Sequence, residues 1–259
     1  MRALRSLFAP AVVLGAALGA FALAPARAAD ETPHPPHQHW HSDGMFGTTD
    51  LAAAQRGFQV YKSVCANCHG MKLMFYRNLA GLGLTEEQVK AVAASITVPL
   101  GLNDAGEPFE GPATPASRFR APYPNDKVAR VVNNGALPPD LSLIVRAREG
   151  GADYIYALLT GFAEPPADMR MGEGMNYNKY FPGHQIAMRP PLVDDQVEFA
   201  DGTKATIPQM ARDVTEFLTW ASAPEVTERK RMGIRVVLFL ALMTVLTYLV
   251  KRQIWSSIH

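Results

Sequence analysis

Apolar residues recur at helical spacing along much of the chain. Leu51, Ala54 and Phe58 lie three and four residues apart, which predicts a helix with one apolar face. Thr49 or Asp50 can cap the start of this helix with a side-chain oxygen. The same periodicity or a capping signal predicts further helices at residues 85–96, 125–135, 140–151, 153–161 and 208–221.

Turn and capping residues complete this outline of secondary structure. Thr85 opens a capping box, and Asn125 begins a helix that Gly135 can end in a left-handed conformation. An Asp-Gly pair within residues 197–207 is the one hairpin signal. We therefore expect a mainly α domain with long loops and one small hairpin.

The N-terminus has the three-part layout of a secretory signal peptide. Arg2 and Arg5 precede an apolar stretch at residues 7–24, and residues 26–28 read Ala-Arg-Ala, a small-residue cleavage pattern. We expect residues 1–28 to be removed on export. An uncleaved membrane anchor is the alternative.

A second apolar stretch, near the C-terminus, predicts a membrane-spanning helix. Residues 232–250 hold a single charge, Arg235, and as a helix they extend ~28 Å, close to the hydrocarbon thickness of a bilayer. The expected anchor covers residues 229–252, with a buried core helix as the alternative. The signal peptide implies that residues 29–228 form one periplasmic domain of a bacterial inner-membrane protein, with residues 253–259 in the cytoplasm.

Charge is distributed unevenly between these regions. Residues 29–228 hold sixteen of the 25 basic residues and all 24 acidic residues, a formal charge of −8, whereas the whole chain carries +1. A negative domain favours a basic partner, although the same charge also serves ordinary solubility. Nucleic acid is not expected as a partner.

The only two cysteines lie together in the segment VCANCHGM, residues 64–71. A structural zinc site would need a second pair of ligands, and a thioredoxin-like redox pair would need a βαβ context. The spacing Cys65-x-x-Cys68-His69 is instead the attachment motif of c-type haem, in which both sulfurs form thioethers and the histidine binds the iron. If a helix continues through this segment, the three side chains lie within an arc of about 100°.

A haem iron with one histidine ligand needs a sixth ligand or keeps an open site. Met188 is favoured because it lies in HQIAMRPPL, where Pro190 and Pro191 restrict the backbone. His184 is the imidazole alternative, while His259 lies in the expected cytoplasmic tail. The remaining methionine candidates are Met71, Met74, Met169, Met171, Met175 and Met210.

Five stretches of the chain resemble the cytochrome c1 family. They are, in chain order, RGFQVYKSVCANCHGM, APYPNDKVARVVNNGALPPDLSLIVRAREGG, DYIYALLTGF, YNKYFPGHQIAMRPPL and MARDVTEFLTWASAPE. Together with the C-terminal anchor they cover nearly the whole mature chain. NNGALPPDLS and YNKYFPGHQIAM are far more specific than the C-x-x-C-H motif alone.

The resemblance implies roles for particular residues. The two cysteines would carry one covalently bound haem c, with His69 and Met188 as axial ligands of the iron. Arg148 and Tyr154 would contact the haem propionates. Taken without the resemblance, Arg148 fits a solvated helix face. The residues that would line the haem crevice are Asn133, Leu158, Phe181, Ile186 and Pro191.

The resemblance also implies a fold and a function. The domain would be a class I cytochrome c-like haem domain, in which the helix at 208–221 packs against the helix that leads to the cysteines. The chain would accept one electron from a Rieske iron–sulfur protein and pass it to a basic, soluble c-type cytochrome. It would do so beside cytochrome b in the quinol–cytochrome c oxidoreductase (bc1) complex of a respiratory or photosynthetic chain. The isolated chain would be an electron carrier, and the complex would be the enzyme. A haem protein with an open sixth site and a stand-alone membrane-tethered shuttle are the alternatives.

A histidine-rich segment precedes the first helix. Residues 34–47 read HPPHQHWHSDGMFG, a composition that can bind metal, but the prolines argue against a preformed cage. We expect an extended segment on the domain surface, with Trp40 and Phe46 as its anchors. The four histidines are His34, His37, His39 and His41.

Overall fold

The computed structural model describes residues 32–256, so the expected signal peptide at residues 1–28 and the last three residues lie outside the described part. Helices dominate, which confirms the mainly α fold. The α-helices are α1 (Leu51–Ser63), α2 (Glu86–Ala94), α3 (Asp126–Val132), α4 (Ile144–Ala147), α5 (Gly151–Thr160), α6 (Ile207–Ala221) and α7 (Val226–Trp255). Two 3-10 helices cover Cys65–Asn67 and Tyr76–Leu82, and the strands are β1 (Thr97–Leu102), β2 (Pro108–Pro112), β3 (Asn176–Tyr177) and β4 (Gln185–Ile186).

The crossing of α1 over α6 is the most extensive contact between elements of the domain. The two backbones approach so closely that a Cβ at Gly57 would overlap the carbonyl oxygen of Asp213 and lie 2.7 Å from Cβ of Phe217. The prediction that the helix at 208–221 packs against the helix leading to the cysteines is therefore confirmed.

Aromatic rings pack along this crossing. Phe58 and Tyr61 of α1 each have their ring centroid 5.6 Å from that of Phe217 on α6. Phe119, from the loop after β2, lies 5.9 Å from Tyr61 and 4.8 Å from Tyr76. Since such close-packed rings move little relative to one another, the C-terminal end of α1 has a fixed position.

An ion pair adds a polar connection between the same two helices. Arg56 of α1 donates to both carboxylate oxygens of Asp213 on α6, at 2.8 and 2.9 Å, and to Asp201 at 2.9 Å. Asp213 is fully buried, and its two bonds to the guanidinium compensate for the lost hydration of the carboxylate. The backbone and side chain of Thr203, together with Arg56, lower the pKa of Asp201 to about 2.

The strands form two small antiparallel pairs rather than one hairpin. β1 pairs with β2, with an irregularity between Pro99 and Gly101, and β3 pairs with β4. The hairpin expected at residues 197–207 is wrong. Gly202 does form a turn with φ of +76°, but its flanking apolar residues are buried against the domain instead of pairing as strands. These buried residues are Val197, Phe199 and Ala205.

Three predicted helix ends differ from the observed ones. α1 ends at Ser63, so the cysteines lie in a 3-10 turn and not on a continued helix. α3 ends at Val132, and Asn134 with φ of +51° is the first left-handed residue, ahead of Gly135. The helix expected at 140–151 is reduced to the four residues of α4. In contrast, the caps expected at Asp50 and Thr85 are confirmed, because each side chain accepts a backbone N–H of its own helix.

The histidine-rich segment is extended on the domain surface, as expected. Trp40 is 7% exposed and anchors it, whereas Phe46 is 78% exposed, so the expectation that Phe46 is a second anchor is wrong. Among residues 32–256, no group of three His, Cys, Asp or Glu side chains is arranged to hold a metal ion.

The C-terminal helix α7 has the properties of a membrane span. Its 30 residues extend ~45 Å. It is long and apolar enough to cross a bilayer, and none of its residues is buried against the domain. The alternative of a buried core helix is therefore wrong.

The close contact at Gly57 gives a direct test of the fold. We expect Gly57→Ala to destabilise the protein by about 3 kcal/mol, because the added carbon forces α1 away from α6. Alanine favours a helix over glycine by about 1 kcal/mol, so propensity alone would give the opposite sign. Chemical denaturation followed by circular dichroism measures the change, with Ala52→Ser on the exposed face of α1 as the control. Equal stability of both variants would contradict the described crossing.

Candidate functional site

The C-x-x-C-H segment lies immediately after α1, in a 3-10 turn. The backbone N–H groups of Cys68 and His69 both donate to the carbonyl oxygen of Cys65, at 3.1 and 2.8 Å. This turn leaves Cys65 half-buried against the domain and Cys68 exposed. The structure thus presents the two sulfurs and the imidazole on one short, hydrogen-bonded turn, although the periodicity of the sequence pointed to a longer helix.

The imidazole of His69 has a defined tautomer. Its Nδ1 lies 2.8 Å from the carbonyl oxygen of Pro139, and because a carbonyl can only accept, Nδ1 carries the proton. Burial lowers the pKa of His69, so the ring is neutral at pH 7. Nε2 therefore keeps its lone pair, which is the form in which a histidine binds a metal.

A set of hydrogen bonds holds the residues after His69 against the LPPDLS segment. Gly70 accepts from the backbone of Leu141 at 2.8 Å, and Asp140 accepts from the backbone of Lys72 at 2.8 Å. Leu73 donates to the hydroxyl of Ser142 at 3.1 Å. Together with the His69–Pro139 bond, these contacts hold the imidazole and the backbone that follows it.

The chemistry of the cysteines argues against a redox pair. The two thiols are not joined to each other. Burial raises the pKa of Cys65 to about 12, whereas the attacking cysteine of a disulfide oxidoreductase has a lowered pKa. Two free thiols on one turn are the groups that the two thioether bonds of a c-type haem require.

Met188 lies in a loop that follows β4. The loop is preceded by His184, which has a left-handed backbone with φ of +59°, and by Gln185. The Gln185 side chain accepts from the backbone of Gly172 at 2.8 Å and donates to the carbonyl oxygen of Arg170 at 3.3 Å. Met188 itself is half-buried. The loop is thus attached to its neighbours through side-chain amide bonds as well as by the prolines seen in the sequence.

Asn178 is a positioning residue that sequence reasoning missed. Its buried amide donates to the carbonyl oxygen of Leu158 on α5 at 2.8 Å and accepts from the backbone of Tyr180 at 3.0 Å. It therefore joins the C-terminal end of α5 to residues 178–180, which precede the strand β4 and the Met188 loop after it. The one signal in the sequence was the position of an asparagine within YNKYFPGHQIAM, because nothing in its spacing shows a partner twenty residues away.

The structure gives the surroundings of His184 and of five rival methionines. His184 is buried, its Nδ1 lies 3.2 Å from the carbonyl oxygen of Asn178, and its ring stacks on Tyr177. Met171 and Met175 line a cavity of about 470 Å³ that no residue of the C-x-x-C-H segment lines. Three other methionines are at most 3% exposed and fill the core, namely Met71, Met74 and Met210.

The residues expected around the haem fall into two groups. Arg148 ends α4 and Tyr154 lies in the first turn of α5, close enough for the guanidinium to counteract the burial that raises the pKa of the Tyr154 hydroxyl. Asn133 lies apart at the end of α3, where its amide donates to the carbonyl oxygen of Ala129 at 2.7 Å. The second group consists of Leu158 on α5, Phe181 before β4, Ile186 in β4 and Pro191 in the loop after β4.

The donor set fits a covalently bound haem. A neutral imidazole with a free Nε2, two thiols on one turn and a thioether on a braced loop are the ligands and attachment points that such a group requires. A helical domain with this turn at the end of the first of two crossing helices belongs to the class of c-type cytochromes.

Comparison with known proteins gives the family. The model of the Cytochrome C1 family matches residues 40–258. The chain belongs to the cytochrome c1 family, as its sequence motifs predicted.

Relatives from three kingdoms are similar over most of their length. Cytochrome c1 of Rhodospirillum rubrum is 44% identical over 85% of this chain and 87% of its own. "Cytochrome c1-2, heme protein, mitochondrial" of Solanum tuberosum is 47% identical over 92% and 93%. "Cytochrome b-c1 complex catalytic subunit, mitochondrial" of Candida albicans is 48% identical over 89% and 81%.

Replacing Asn178 by alanine tests its positioning role. We expect Asn178→Ala to lower the free energy of unfolding by about 2–3 kcal/mol, because it leaves buried backbone groups of Leu158 and Tyr180 unpaired. Hydrogen exchange of residues 180–190 rises at the same time. The control is Gln59→Ala, which removes an exposed amide bond to Glu198. Unchanged exchange in the Met188 loop would show that Asn178 does not position it.

Proposed function

We propose that this chain is the membrane-anchored, haem-carrying subunit of a quinol–cytochrome c oxidoreductase (bc1) complex. It takes one electron from a Rieske iron–sulfur protein and passes it to a soluble c-type cytochrome. The observation that carries the proposal is the clamped, neutral imidazole of His69 beside two free cysteines, in a chain that belongs to the cytochrome c1 family. The bc1 complex is also in the printed name of the Candida albicans relative.

Four residues hold the cofactor in this proposal. Cys65 and Cys68 would bind haem c through thioethers, and His69 Nε2 and the Met188 sulfur would ligate the iron. When bound, haem c supplies a one-electron iron couple, whose potential a thioether ligand raises. Pro139 orients the imidazole by accepting from Nδ1, and this second bond makes Nε2 a better donor.

The remaining expected contacts surround the cofactor. Arg148 and Tyr154 would hold the propionates, whose negative charge a guanidinium and a phenol stabilise. With His69 and Met188 both ligating the iron, the haem would carry electrons and would not bind substrates at the metal. The crevice is lined by Asn133, Leu158, Phe181, Ile186 and Pro191.

The proposed topology has the haem domain outside the cytoplasm. Residues 1–28 are a cleaved signal peptide, and residues 29–228 form the periplasmic domain. The anchor at residues 229–252 spans the inner membrane, and residues 253–259 lie in the cytoplasm. The apolar helix α7 supports the anchor, and the Rhodospirillum rubrum relative is a bacterial cytochrome c1.

Charge supports the choice of partners. Cytochrome b and the Rieske protein are the neighbours within the complex, and the acceptor is a basic soluble c-type cytochrome. The formal charge of −8 on residues 29–228, to which haem propionates add, attracts such an acceptor over a distance comparable to the Debye length.

Substitution of Met188 tests the axial ligand. We expect Met188→Leu to lose the weak methionine-to-iron absorption band and to bind carbon monoxide in the reduced state, which the six-coordinate wild type resists. Met175→Leu is the control, since Met175 lines the separate cavity and should leave both properties unchanged. An unaltered spectrum of Met188→Leu, or loss of the band in Met175→Leu, would refute the assignment.

The salt dependence of electron transfer tests the choice of acceptor. We expect the rate of reduction of a lysine-rich c-type cytochrome to fall about tenfold or more between low and physiological ionic strength, as for other electrostatically steered pairs. A neutral small-molecule oxidant serves as the control and should show little change. A flat salt profile with the basic cytochrome would remove charge as the basis of recognition.

A further inference from the structure

The N-terminal segment is fastened to two helices of the domain. The indole N–H of Trp40 donates to Asp153 of α5 at 2.7 Å, and the backbone of Gln38 donates to the same carboxylate at 3.0 Å. Arg212 of α6 donates to the carbonyl oxygen of His39 and lies over the Trp40 ring, 5.1 Å from its centroid. The segment thus has a fixed path until residue 41.

Beyond that point the segment forms a loop, residues 42–47, that is tied to the start of α7. The ammonium group of Lys230 donates to the carbonyl oxygens of Ser42 at 2.6 Å, Gly44 at 2.7 Å and Gly47 at 3.3 Å. All three of its donors are used on one loop. A single lysine of the C-terminal helix therefore holds a loop that lies more than 180 residues away in the chain.

The loop exposes two adjacent apolar side chains. Met45 is 68% exposed and Phe46 is 78% exposed, the latter among the most exposed large apolar residues of the domain. Trp40 of the same segment is buried against the domain, whereas Met45 and Phe46 are not. Adjacent exposed apolar side chains on a loop that is held in place are typical of protein or membrane interaction sites.

The position of Lys230 on α7 indicates that this contact is with the membrane. The apolar run of α7 begins at Met232, two residues or ~3 Å further along the helix. Arg235 does not displace this start, because its guanidinium reaches back to within 3.9 Å of Glu228. Helical side chains lean towards the N-terminus, so the Lys230 ammonium and its loop lie just outside the apolar run. The headgroup layer is about 5–8 Å thick on each side of the hydrocarbon. The loop 42–47 therefore lies at the level of this layer.

We propose that the loop 42–47 is a second membrane contact, in which Met45 and Phe46 enter the headgroup layer of the bilayer that α7 crosses. The proposal rests on α7 being the anchor of the proposed function. The basic residues on either side of Lys230, Arg229 and Arg231, suit the phosphates of the same layer. Two points of attachment limit the rotation of the haem domain about α7, which a single helix would leave free.

Spin labels on introduced cysteines test this contact in the haem-loaded, full-length chain. Because the thioethers occupy Cys65 and Cys68, an added cysteine is the one reactive thiol. Phe46→Cys is compared with two other exposed apolar sites, Leu102→Cys on β1 and Phe239→Cys within α7, which are 66% and 59% exposed. Each labelled protein is reconstituted in vesicles of phosphatidylcholine and phosphatidylglycerol. Collision rates are then measured with oxygen, which enters lipid, and with a water-soluble nickel chelate.

The expected result is a ratio of oxygen to nickel collisions at Phe46 that is severalfold above that at Leu102 and approaches that at Phe239. A ratio at Phe46 equal to that at Leu102, with Phe239 in lipid, would overturn the second contact alone. A water-exposed label at Phe239 would instead refute the anchor itself. A Phe46 label shielded from both reagents would mean that protein covers the loop, which also contradicts the proposal.

Discussion

The close crossing of α1 and α6 is the constraint on which the position of the functional site depends. It requires a residue without a side chain at Gly57, because any Cβ would meet the backbone of the facing helix. With the helices in contact, Phe58, Tyr61 and Phe217 can pack their rings together, and Arg56 can reach the buried Asp213. The end of α1, and the cysteine turn that follows it, therefore stands at a defined place relative to the rest of the domain.

From this turn the site is built by hydrogen bonds rather than by further helix packing. The Tyr61 hydroxyl donates to the carbonyl oxygen of His69 at 3.3 Å, and Pro139 accepts from the imidazole. The opposite side of the site is held by the side-chain amides of Asn178 and Gln185. The two sides of the site are therefore held in place by different kinds of contact. The imidazole is set by a dense clamp on its own backbone, while the proposed thioether ligand depends on two amide side chains and two prolines.

Features encoded by local chemistry could be predicted from the sequence. The caps at Asp50 and Thr85, the amphipathic α1 and α6, and the apolar α7 each follow from neighbouring residues. The end of α1 was not predicted, because the residues directly after the 3-10 turn bond to the distant segment from Pro139 onward, seventy residues later. Asn178 was missed because its partner Leu158 lies twenty residues away, and the Lys230 contacts that hold the loop of Phe46 come from more than 180 residues away. The hairpin predicted at residues 197–207 is wrong because Asp201 accepts hydrogen bonds from Thr203 and Arg56, and the neighbouring apolar side chains pack into the domain.

The account as a whole requires one haem joined covalently to the chain at its two cysteines. Extraction of the natively expressed, purified protein with acidified acetone measures this most directly, followed by a pyridine haemochrome spectrum and an intact mass of the precipitated chain. We predict that the pigment stays with the polypeptide and that the mass exceeds that of the processed chain by one haem. Pigment that passes into the acetone, or a colourless protein with two free thiols, would contradict the account.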